Sequence, residues 1–401
     1  SAASDVYKRQ GIRRGETLLT LEIESDVTLM IEKSIGIIGG GIVGATAAYY
    51  LARSGQKVSL FDHGKGQASK AAAGIINPWF SLRRNQAWYQ IVAKGAEFYR
   101  ELITDLDQDG YPSQDIFQVD GALMIRHSDK RYRKDLDQAA AKRPESPSMG
   151  EVKTVQAQDY FPWAKAKLKA TYVEGGGRVD GSHLIETLHR AIIDLGGQII
   201  QAQASLQGGG NSPLLVRANQ ANYSFDHLLL AVGAWLPSLL EPLGYQVDIR
   251  PQKGQLYVIE DPDFKDRHWP VIMPSGLTDI IPFNNGQIIV GASHEDDQAY
   301  NLDPDMDQIE ALRSDLAQIA PDLADYPIKE VRVGTRAQSK DYSVVLGRVP
   351  GLNQVWAVSG LGSSGLTSGP YIGAQWAQYI LSGQWDIHDE LYPIDSYIHQ
   401  A

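Results

Sequence analysis

The sequence contains no cysteine, which excludes disulfide bonds, thiolate metal ligands, a cysteine nucleophile and a covalent cofactor link through sulfur. It also has no excess of basic residues: 37 lysines and arginines stand against 48 aspartates and glutamates, a net charge of −11. Because nucleic-acid binding needs cations that replace counterions along phosphates, we expect no nucleic-acid partner. No apolar run approaches the roughly 18 residues of a membrane helix, so we predict no transmembrane segment. We predict no metal site.

Low-complexity segments and solenoid-type repeats are also missing, and 401 residues with 43% apolar content suffice for two domains with separate cores. The lack of cysteine fits a cytoplasmic protein. Peripheral membrane association and assembly into a homo-oligomer are left open. Residues 1–29 carry scattered charges and no signal-peptide core. We interpret residues 1–29 as an N-terminal appendage outside the fold, added or translated upstream of Met30.

The most informative motif is a strand, a glycine-rich turn, a helix and a second strand that ends in an acid, over residues 34–62. Its pattern G-x-G-x-x-G consists of Gly39, Gly41 and Gly44, and the acid, Asp62, lies 23 residues after Gly39. The first glycine allows a tight bend, the second admits a pyrophosphate, and the third lets the helix approach the strand. The helix N-terminus favours phosphate charge, and the acid can accept hydrogen bonds from ribose hydroxyls. The motif therefore predicts a dinucleotide site.

Strand-and-helix alternation in the first part of the chain gives way to short strands with turns such as Asn284-Asn285-Gly286, a pattern typical of an antiparallel sheet. We predict residues 128–162 as mostly helix or loop, and residues 330–333 as a strand that leads to Gly334. The predicted class is α/β with an α+β substrate part. The nucleotide-binding domain is discontinuous, with residues 30–110, 174–245 and 334–395, and the substrate domain comprises residues 111–173 and 246–333.

Several segments occur in the order found in one protein family: the first glycine motif, Ser69 to Ile75, Gly233-Ala234-Trp235, Gly254-Gln255, Gly334-Thr335-Arg336 and residues 360–370. With these segments, residues 31–381 resemble the D-amino-acid-oxidase-like flavoproteins, and within them the glycine oxidase and D-amino acid dehydrogenase types. The resemblance implies non-covalent FAD on a Rossmann-like domain, with an antiparallel substrate domain above the isoalloxazine ring. It also implies an oxidoreductase that acts on CH–NH or CH–NH2 donors.

The resemblance implies cofactor contacts position by position. They are Gly39, Gly41, Ile42, Val43 and Gly44 at the pyrophosphate turn; Asp62 and His63 at the ribose; Ala68, Ser69, Ala73, Gly74 and Ile75 along the pyrophosphate and flavin; Ser205 at adenine; Gly233 and Trp235 beside the nucleotide; and Leu361, Gly362, Ser363, Ser364, Gly365, Leu366 and Thr367 at the flavin pyrimidine edge. The last segment opens a helix whose N-terminus would favour the negative charge of reduced flavin. A glycine-rich helix cap without a ligand is the alternative.

Arg336 resembles the family arginine that binds a substrate carboxylate, since a planar guanidinium pairs with both carboxylate oxygens. Without the family context, a surface ion pair is the more frequent role. Two positions depart from glycine oxidase: Ser363 replaces a second arginine, and Asp279 replaces a tyrosine. The hydroxyls of Ser363 and Ser364 could substitute for the lost cation, or the substrate differs; Asp279 could face a substrate amine or be a solvated turn acid. These departures predict a pocket that disfavours small dianionic or doubly bound acids and prefers substrates whose amine stays cationic or whose side chain is neutral or basic.

The predicted reaction is FAD-dependent oxidation of an amino-acid-type amine, namely a D-amino acid, glycine or an N-methyl amino acid. Hydride transfer to flavin N5 gives an imine that hydrolyses to an oxo acid. No general base is assigned, and His294 is as readily a packed histidine as a functional one. Oxygen and a quinone are both left open as electron acceptor. The alternatives are a nicotinamide-dependent dehydrogenase, a flavin-binding protein without turnover, and a tRNA-modifying oxidase, which the acidic charge disfavours.

Overall fold

The computed structural model describes residues 34–81, 83, 85–209 and 212–400. Residues 1–29, which we predicted to be an appendage, lie outside the described residues. Within the described part of the chain, no helix combines the length and apolarity needed to cross a membrane. No cluster of three or more histidine or acidic side chains in the same residues is arranged to hold a metal ion.

The described residues form α-helices joined by strands and short 3-10 turns. The helices are α1 (Ile42–Arg53), α2 (Ala68–Ala71), α3 (Gln86–Gln108), α4 (Asp129–Lys142), α5 (Gly181–Asp194), α6 (Leu236–Leu240), α7 (Met306–Ile319), α8 (Pro321–Ala324) and α9 (Gly365–Ser382). The strands are β1 (Ile35–Ile38), β2 (Val58–Asp62), β3 (Ile75–Ile76), β4 (Phe117–Gln118), β5 (Ala122–Ile125), β6 (Val152–Gln156), β7 (Lys169–Val173), β8 (Gly177–Val179), β9 (Gln198–Gln201), β10 (Ser205–Gly209), β11 (Ser212–Ala218), β12 (Ala221–Tyr223), β13 (His227–Leu230), β14 (Tyr245–Val247), β15 (Ile249–Glu260), β16 (Val271–Pro274), β17 (Asp279–Pro282), β18 (Gln287–Gly291), β19 (Glu330–Ser339), β20 (Val345–Arg348), β21 (Val355–Ser359) and β22 (Ile398–Gln400).

A six-stranded sheet, in the order β20-β21-β13-β1-β2-β9, carries the first glycine motif. Its central pairings are parallel, and β20 joins β21 antiparallel at one edge. Every residue of β1 is buried, as expected for a parallel strand covered on both faces. The register sets Ile38 beside both Phe61 and Leu230, so β1, β2 and β13 end at the same sheet edge. Ligands of parallel sheets bind at this edge.

Helix α9 packs against α1 with very close backbone approach. A Cβ atom added to Gly369 would lie 2.6 Å from Cγ2 of Ile42, and one added to Gly373 would overlap the carbonyl oxygen of Val43. Because only glycine fits at these two positions, the helices approach closely, and the start of α9 lies beside the start of α1. The two glycine motifs, which are more than 300 residues apart in sequence, therefore border one cavity.

An eight-stranded sheet, in the order β19-β15-β18-β17-β16-β5-β7-β6, forms the second layer. It is antiparallel except for the β5–β16 pair. Strands β15 and β19 pair continuously from Ile249–Ser339 to Val258–Glu330. The predicted strand, residues 330–333, was therefore too short: the long ladder with β15 carries it to Ser339, and Arg336 lies inside the strand.

Residues 128–162 are mostly helix and turn, as predicted, but they also contribute one strand. Residues Val152–Gln156 form β6, the edge strand that pairs with β7. This strand is short, and its apolar and polar residues do not alternate strictly, which explains why the sequence signal was weak. The fold as a whole is α/β with an added antiparallel sheet, as predicted. Both segments assigned to the substrate domain contribute to the eight-stranded sheet, but the domain boundaries stay a prediction.

Candidate active site

Two adjoining cavities lie where residues of both large sheets come together. The glycine-turn cavity is lined by residues 38–43 and their neighbours, and its empty space, including the part open to solvent, is about 1040 Å³. The arginine cavity is lined by Arg336 and its neighbours, and its empty space, counted in the same way, is about 870 Å³. The cavities share four lining residues and so form one continuous site: Ala68, Ser69, Gly362 and Gly365.

The turn before α1 leaves the helix N-terminus open to the cavity. Gly39 has φ +106°, and a Cβ atom there would lie 2.6 Å from the carbonyl carbon of Ala231. Gly41 is the N-cap residue and supplies no side-chain cap. The amide of Ile42 donates to Oγ of Ser69 at 3.0 Å. A helix N-terminus surrounded by such small residues suits an anionic group such as a phosphate.

Gly44 lines neither cavity among the described residues. A Cβ atom at this position would overlap the carbonyl oxygen of Gly39. It would also lie 3.1 Å from Cγ2 of Ile37 in β1, which agrees with the predicted role of the third glycine, close approach of the helix to the strand.

Asp62 and His63 line the far end of the glycine-turn cavity. The carboxylate of Asp62 accepts a hydrogen bond from Nε2 of Gln67, which fixes its orientation. The His63 ring meets the Trp235 ring edge-on, with centroids 6.0 Å apart. A carboxylate held beside aromatic rings suits a ribose and its base.

Ser205 was assigned to adenine, and it begins β10 in an exposed position. The three preceding residues, 202–204, line the glycine-turn cavity, but Ser205 does not. Its contact with adenine stays a prediction.

Two buried polar atoms in the glycine-turn cavity have no hydrogen-bond partner among the described residues. They are Oε1 of Gln67 and Oγ1 of Thr335. Such atoms are rare in proteins because each costs about 1–3 kcal/mol. A ligand rich in hydroxyl and phosphate groups would satisfy them. Together with the open glycine turn, these atoms fit a dinucleotide cofactor.

The second glycine motif borders both cavities. Its residues in the glycine-turn cavity are Leu361, Gly362 and Gly365, and those in the arginine cavity are Gly362, Ser363, Gly365 and Leu366. Ser364 and Thr367 line neither. The Ser364 hydroxyl accepts from Nε1 of Trp88 at 3.0 Å and donates to a backbone carbonyl at 2.7 Å. Thr367 donates to the Ile75 carbonyl at 3.3 Å. Of the two serines proposed to replace a cation, only Ser363 therefore lines the arginine cavity.

Arg336 is the main cation of the arginine cavity. Its Nη1 donates to the Ser293 carbonyl at 2.8 Å and to Oε1 of Gln252 at 3.4 Å. Burial lowers the pKa of Arg336 to about 10, and the charge of Glu295 raises it. The guanidinium thus stays positive at neutral pH, and no carboxylate among the described residues forms an ion pair with it. The residues beside it include the predicted Ala73, Gly74 and Ile75.

Asp279 and His294 also line the arginine cavity. Burial raises the pKa of Asp279 from its ordinary 3.8 to about 7. Asp279 begins β17 and is partly exposed, and its carboxyl has no hydrogen bond among the described residues. Burial lowers the pKa of His294, the charges of Arg336 and Arg83 lower it further, and Asp296 raises it.

Sequence reasoning missed several lining residues because only the tertiary fold brings them to the site. Gln67 and Thr335 belong to the glycine-turn cavity, and Gly291 and Ala292 to the arginine cavity. Thr335 directly precedes Arg336, and this neighbouring position was the one feature of the sequence that could have indicated its role in the cavity. Gly291 is identified only by the register that sets it opposite Asp279.

Comparison with known proteins decides the family. The model of the FAD dependent oxidoreductase (DAO) family matches residues 34–379. The chain belongs to this family. It is an FAD-dependent oxidoreductase, and the nicotinamide-dependent alternative is wrong because the matched domain is one that uses FAD.

Individual relatives agree with this assignment. An uncharacterized oxidoreductase of Bacillus subtilis, YurR, is 36% identical over 372 residues, which cover 90% of this chain and 98% of that protein. Glycine oxidase of Pseudomonas aeruginosa is 26% identical over 351 residues, or 85% of this chain and 92% of that protein. Iminodiacetate oxidase from Chelativorans sp. BNC1 superposes with a TM-score of 0.83 at 31% identity, covering 89% of this chain and 98% of that one.

The observed residues fit FAD. The open start of α1 suits the pyrophosphate, Asp62 suits the ribose, and the unpartnered atoms of Gln67 and Thr335 offer further polar contacts. Because the glycine-turn cavity continues into the arginine cavity, a dinucleotide bound in the first would bring its redox-active end toward the second. The contact made by each FAD-binding residue stays a prediction.

Proposed function

We propose that this FAD-dependent oxidoreductase oxidises a carboxylated amine of amino-acid type at the C–H bond next to nitrogen. One observation carries the proposal: the partly buried guanidinium of Arg336 lines a cavity continuous with the cofactor cavity, and no described acid pairs with it. An unpaired buried cation is unfavourable until an anion binds. A substrate carboxylate is such an anion, and its planar shape matches the guanidinium.

The chain's own residues then bind and orient the substrate. FAD, when bound, supplies the hydride acceptor. Arg336, held by the Ser293 carbonyl, fixes the carboxylate and thereby the direction of the adjacent C–H bond. Asp279 lines the same cavity and can balance the charge of the substrate amine. Loss of a hydride from carbon and a proton from nitrogen leaves an imine, which water hydrolyses to an oxo acid and an amine or ammonia.

Two relatives support this substrate class. One is named for glycine and the other for iminodiacetate, and both compounds carry a carboxylate on the carbon next to nitrogen. The proposal includes D-amino acids, glycine and N-substituted amino acids, with oxygen or a quinone as the final electron acceptor.

Anaerobic bleaching of the flavin tests the proposal. Glycine, sarcosine, proline, D-amino acids and iminodiacetate are compared with methylamine, dimethylamine and pyrrolidine, which lack the carboxylate. We expect bleaching by one or more carboxylated amines and none by their counterparts. Equal bleaching by the amines without a carboxylate would overturn the proposal. The rate of reoxidation when air is admitted, compared with the rate after adding a quinone, identifies the electron acceptor.

A matched pair of variants tests the role of Arg336. Arg336→Met should lower kcat/KM for the carboxylated substrate at least 100-fold, or about 3 kcal/mol for loss of a charge-assisted pair. FAD content should stay near that of the parent. Arg332→Met is the control, because Arg332 lies on the same strand and pairs with Glu330. Unchanged kinetics in Arg336→Met would remove Arg336 from the substrate site.

A further inference from the structure

A second cation, Arg83, is linked through Trp88 and Ser364 to the wall of the arginine cavity, although Arg83 is not itself among the lining residues. Helix α3 begins after Asn85, whose side chain accepts the amide of Trp88 at 3.0 Å. The Arg83 guanidinium stacks on the Trp88 ring, with Cζ 4.6 Å from the ring centroid. Arg83 is therefore positioned by packing against a buried aromatic ring.

Trp88 connects this cation to the cavity wall. Its Nε1 donates to the buried Oγ of Ser364 at 3.0 Å, and the neighbouring residue Ser363 lines the arginine cavity. The series Arg83, Trp88 and Ser364 thus leads from the guanidinium to the position at which glycine oxidase carries its second arginine.

Electrostatics place Arg83 near the same group as Arg336. Both positive charges lower the pKa of His294, whose ring lines the arginine cavity. His294 is further fixed by Gln252, with Nδ1 to Oε1 at 3.3 Å. The charges of both arginines therefore act on one imidazole of the arginine cavity, which agrees with the contacts through Trp88 and Ser364.

No acidic side chain in the described residues neutralises Arg83. Burial lowers its pKa, and Tyr342 is the group that raises it. A partly buried guanidinium with aromatic neighbours alone keeps its donors available for an anion. Asp279 does not take this role: among the described residues its carboxyl forms no ion pair or hydrogen bond with either arginine, and burial raises its pKa.

We propose that Arg83 binds a second carboxylate of the substrate, so that the enzyme prefers amines that carry two carboxylates. Arg336 holds the carboxylate next to the oxidised carbon, and Arg83 holds the one on the other arm of the amine. This inference rests on the proposed function. It replaces the expectation that the pocket disfavours small dianionic or doubly bound acids, because that expectation counted Ser363 and Asp279 but not Arg83.

Ligand binding to the FAD-loaded enzyme tests the inference without turnover. Acetate, malonate, succinate and glutarate are titrated, and the shift of the flavin spectrum gives each Kd. We expect one or more diacids to bind at least tenfold more tightly than acetate in the parent protein. In Arg83→Met, this advantage should be lost while acetate binding changes less than about twofold. Arg83→Lys should retain part of the advantage because the charge remains.

Substrate kinetics provide the second measurement. Sarcosine and iminodiacetate differ in one carboxylate, so Arg83→Met should lower kcat/KM for iminodiacetate at least tenfold and leave sarcosine near the parent value. Arg100→Met is the control, since Arg100 is an exposed arginine of α3 that contacts only the Ser148 carbonyl. Thermal midpoint and FAD content establish that each variant is folded.

The possible failures can be told apart. A diacid advantage that survives in Arg83→Met overturns this inference, as does an equal loss for sarcosine and iminodiacetate. If Arg336→Met leaves the binding of acetate and of every diacid unchanged, the proposed function fails as well. If acetate binding depends on Arg336 but no diacid exceeds it, only the second carboxylate site is wrong.

Discussion

The guanidinium of Arg336 lies directly against Gly254 of the neighbouring strand, where a Cβ atom would come within 2.5 Å of the guanidinium carbon. The register of β15 and β19 sets Gly254 opposite Gly334 and Gln252 opposite Arg336. The missing side chain at Gly254 leaves the space in which the guanidinium lies flat. A glycine thus determines where the carboxylate-binding group can be.

Replacing Gly254 should therefore change function more than stability. In Gly254→Ala the added methyl displaces the end of a flexible side chain, so we expect less than about 1 kcal/mol of destabilisation. The kcat/KM for a carboxylated amine should fall at least tenfold, with FAD content maintained. In Gly254→Ala/Arg336→Met the two effects should not add, because both act on one interaction. Full additivity in this double-mutant cycle would show that Gly254 acts independently of Arg336.

Substitutions at two glycines of the first motif should have different effects, one on stability and the other on FAD binding. A Cβ atom at Gly44 overlaps the backbone oxygen of Gly39, whereas one at Gly41 meets only Oγ of Ser69, at 3.3 Å. Gly44→Ala should lower the thermal midpoint even without FAD, because backbone must move. Gly41→Leu should fold but lose FAD, because its side chain enters the cavity. The FAD-free midpoint and the FAD content of each variant are the measurements. A Gly41→Leu protein with full FAD content would contradict the placement of the pyrophosphate.

The sequence predicted the parts of the site that consecutive residues build. The glycine turn, the acid at the end of β2 and the helix after Leu361 are local patterns whose geometry follows from chain direction and helix termini. The α/β class with an added antiparallel sheet was predicted for the same reason. Arg336 was found through its position in the family pattern, although the strand that carries it was predicted too short.

The remaining parts depend on contacts between distant segments, which a single sequence does not reveal. Arg83 and His294 are 211 residues apart, and only the fold brings the arginine within electrostatic reach of the imidazole. Ser364 looked equivalent to Ser363 in the sequence, but Trp88 from α3 engages its hydroxyl. In each case a partner from another element decides which side chain lines the cavity.

A stability prediction concerns Arg178, whose side chain is fully buried and pairs with Asp120 at 2.6 Å. Burial lowers the pKa of Arg178, and Asp120 raises it. Asp120→Asn leaves a buried cation without its partner and should cost about 3–5 kcal/mol. The control Asp129→Asn breaks the exposed pair with Lys169 and should cost less than about 1 kcal/mol. Urea unfolding of the three proteins measures the difference, and equal losses in the two variants would contradict this account.

The last prediction follows from the raised pKa of Asp279, about 7 against an ordinary 3.8. Because folding favours the protonated carboxyl, its contribution to stability is complete below about pH 4 and is lost as the pH rises through 7. A shift of this size would correspond to about 4 kcal/mol in the free energy of unfolding. Because the carboxyl lines a cavity and is partly solvated, we expect a contribution of about 1–2 kcal/mol. Asp279→Asn should therefore gain stability relative to the parent between pH 5 and pH 8, whereas the exposed control Asp297→Asn should show no such trend.

If the ionised carboxylate of Asp279 balances a cationic amine, kcat/KM of the parent should rise through pH 7, and Asp279→Asn should lose that rise. Parallel pH profiles in both proteins would exclude Asp279 from the substrate site.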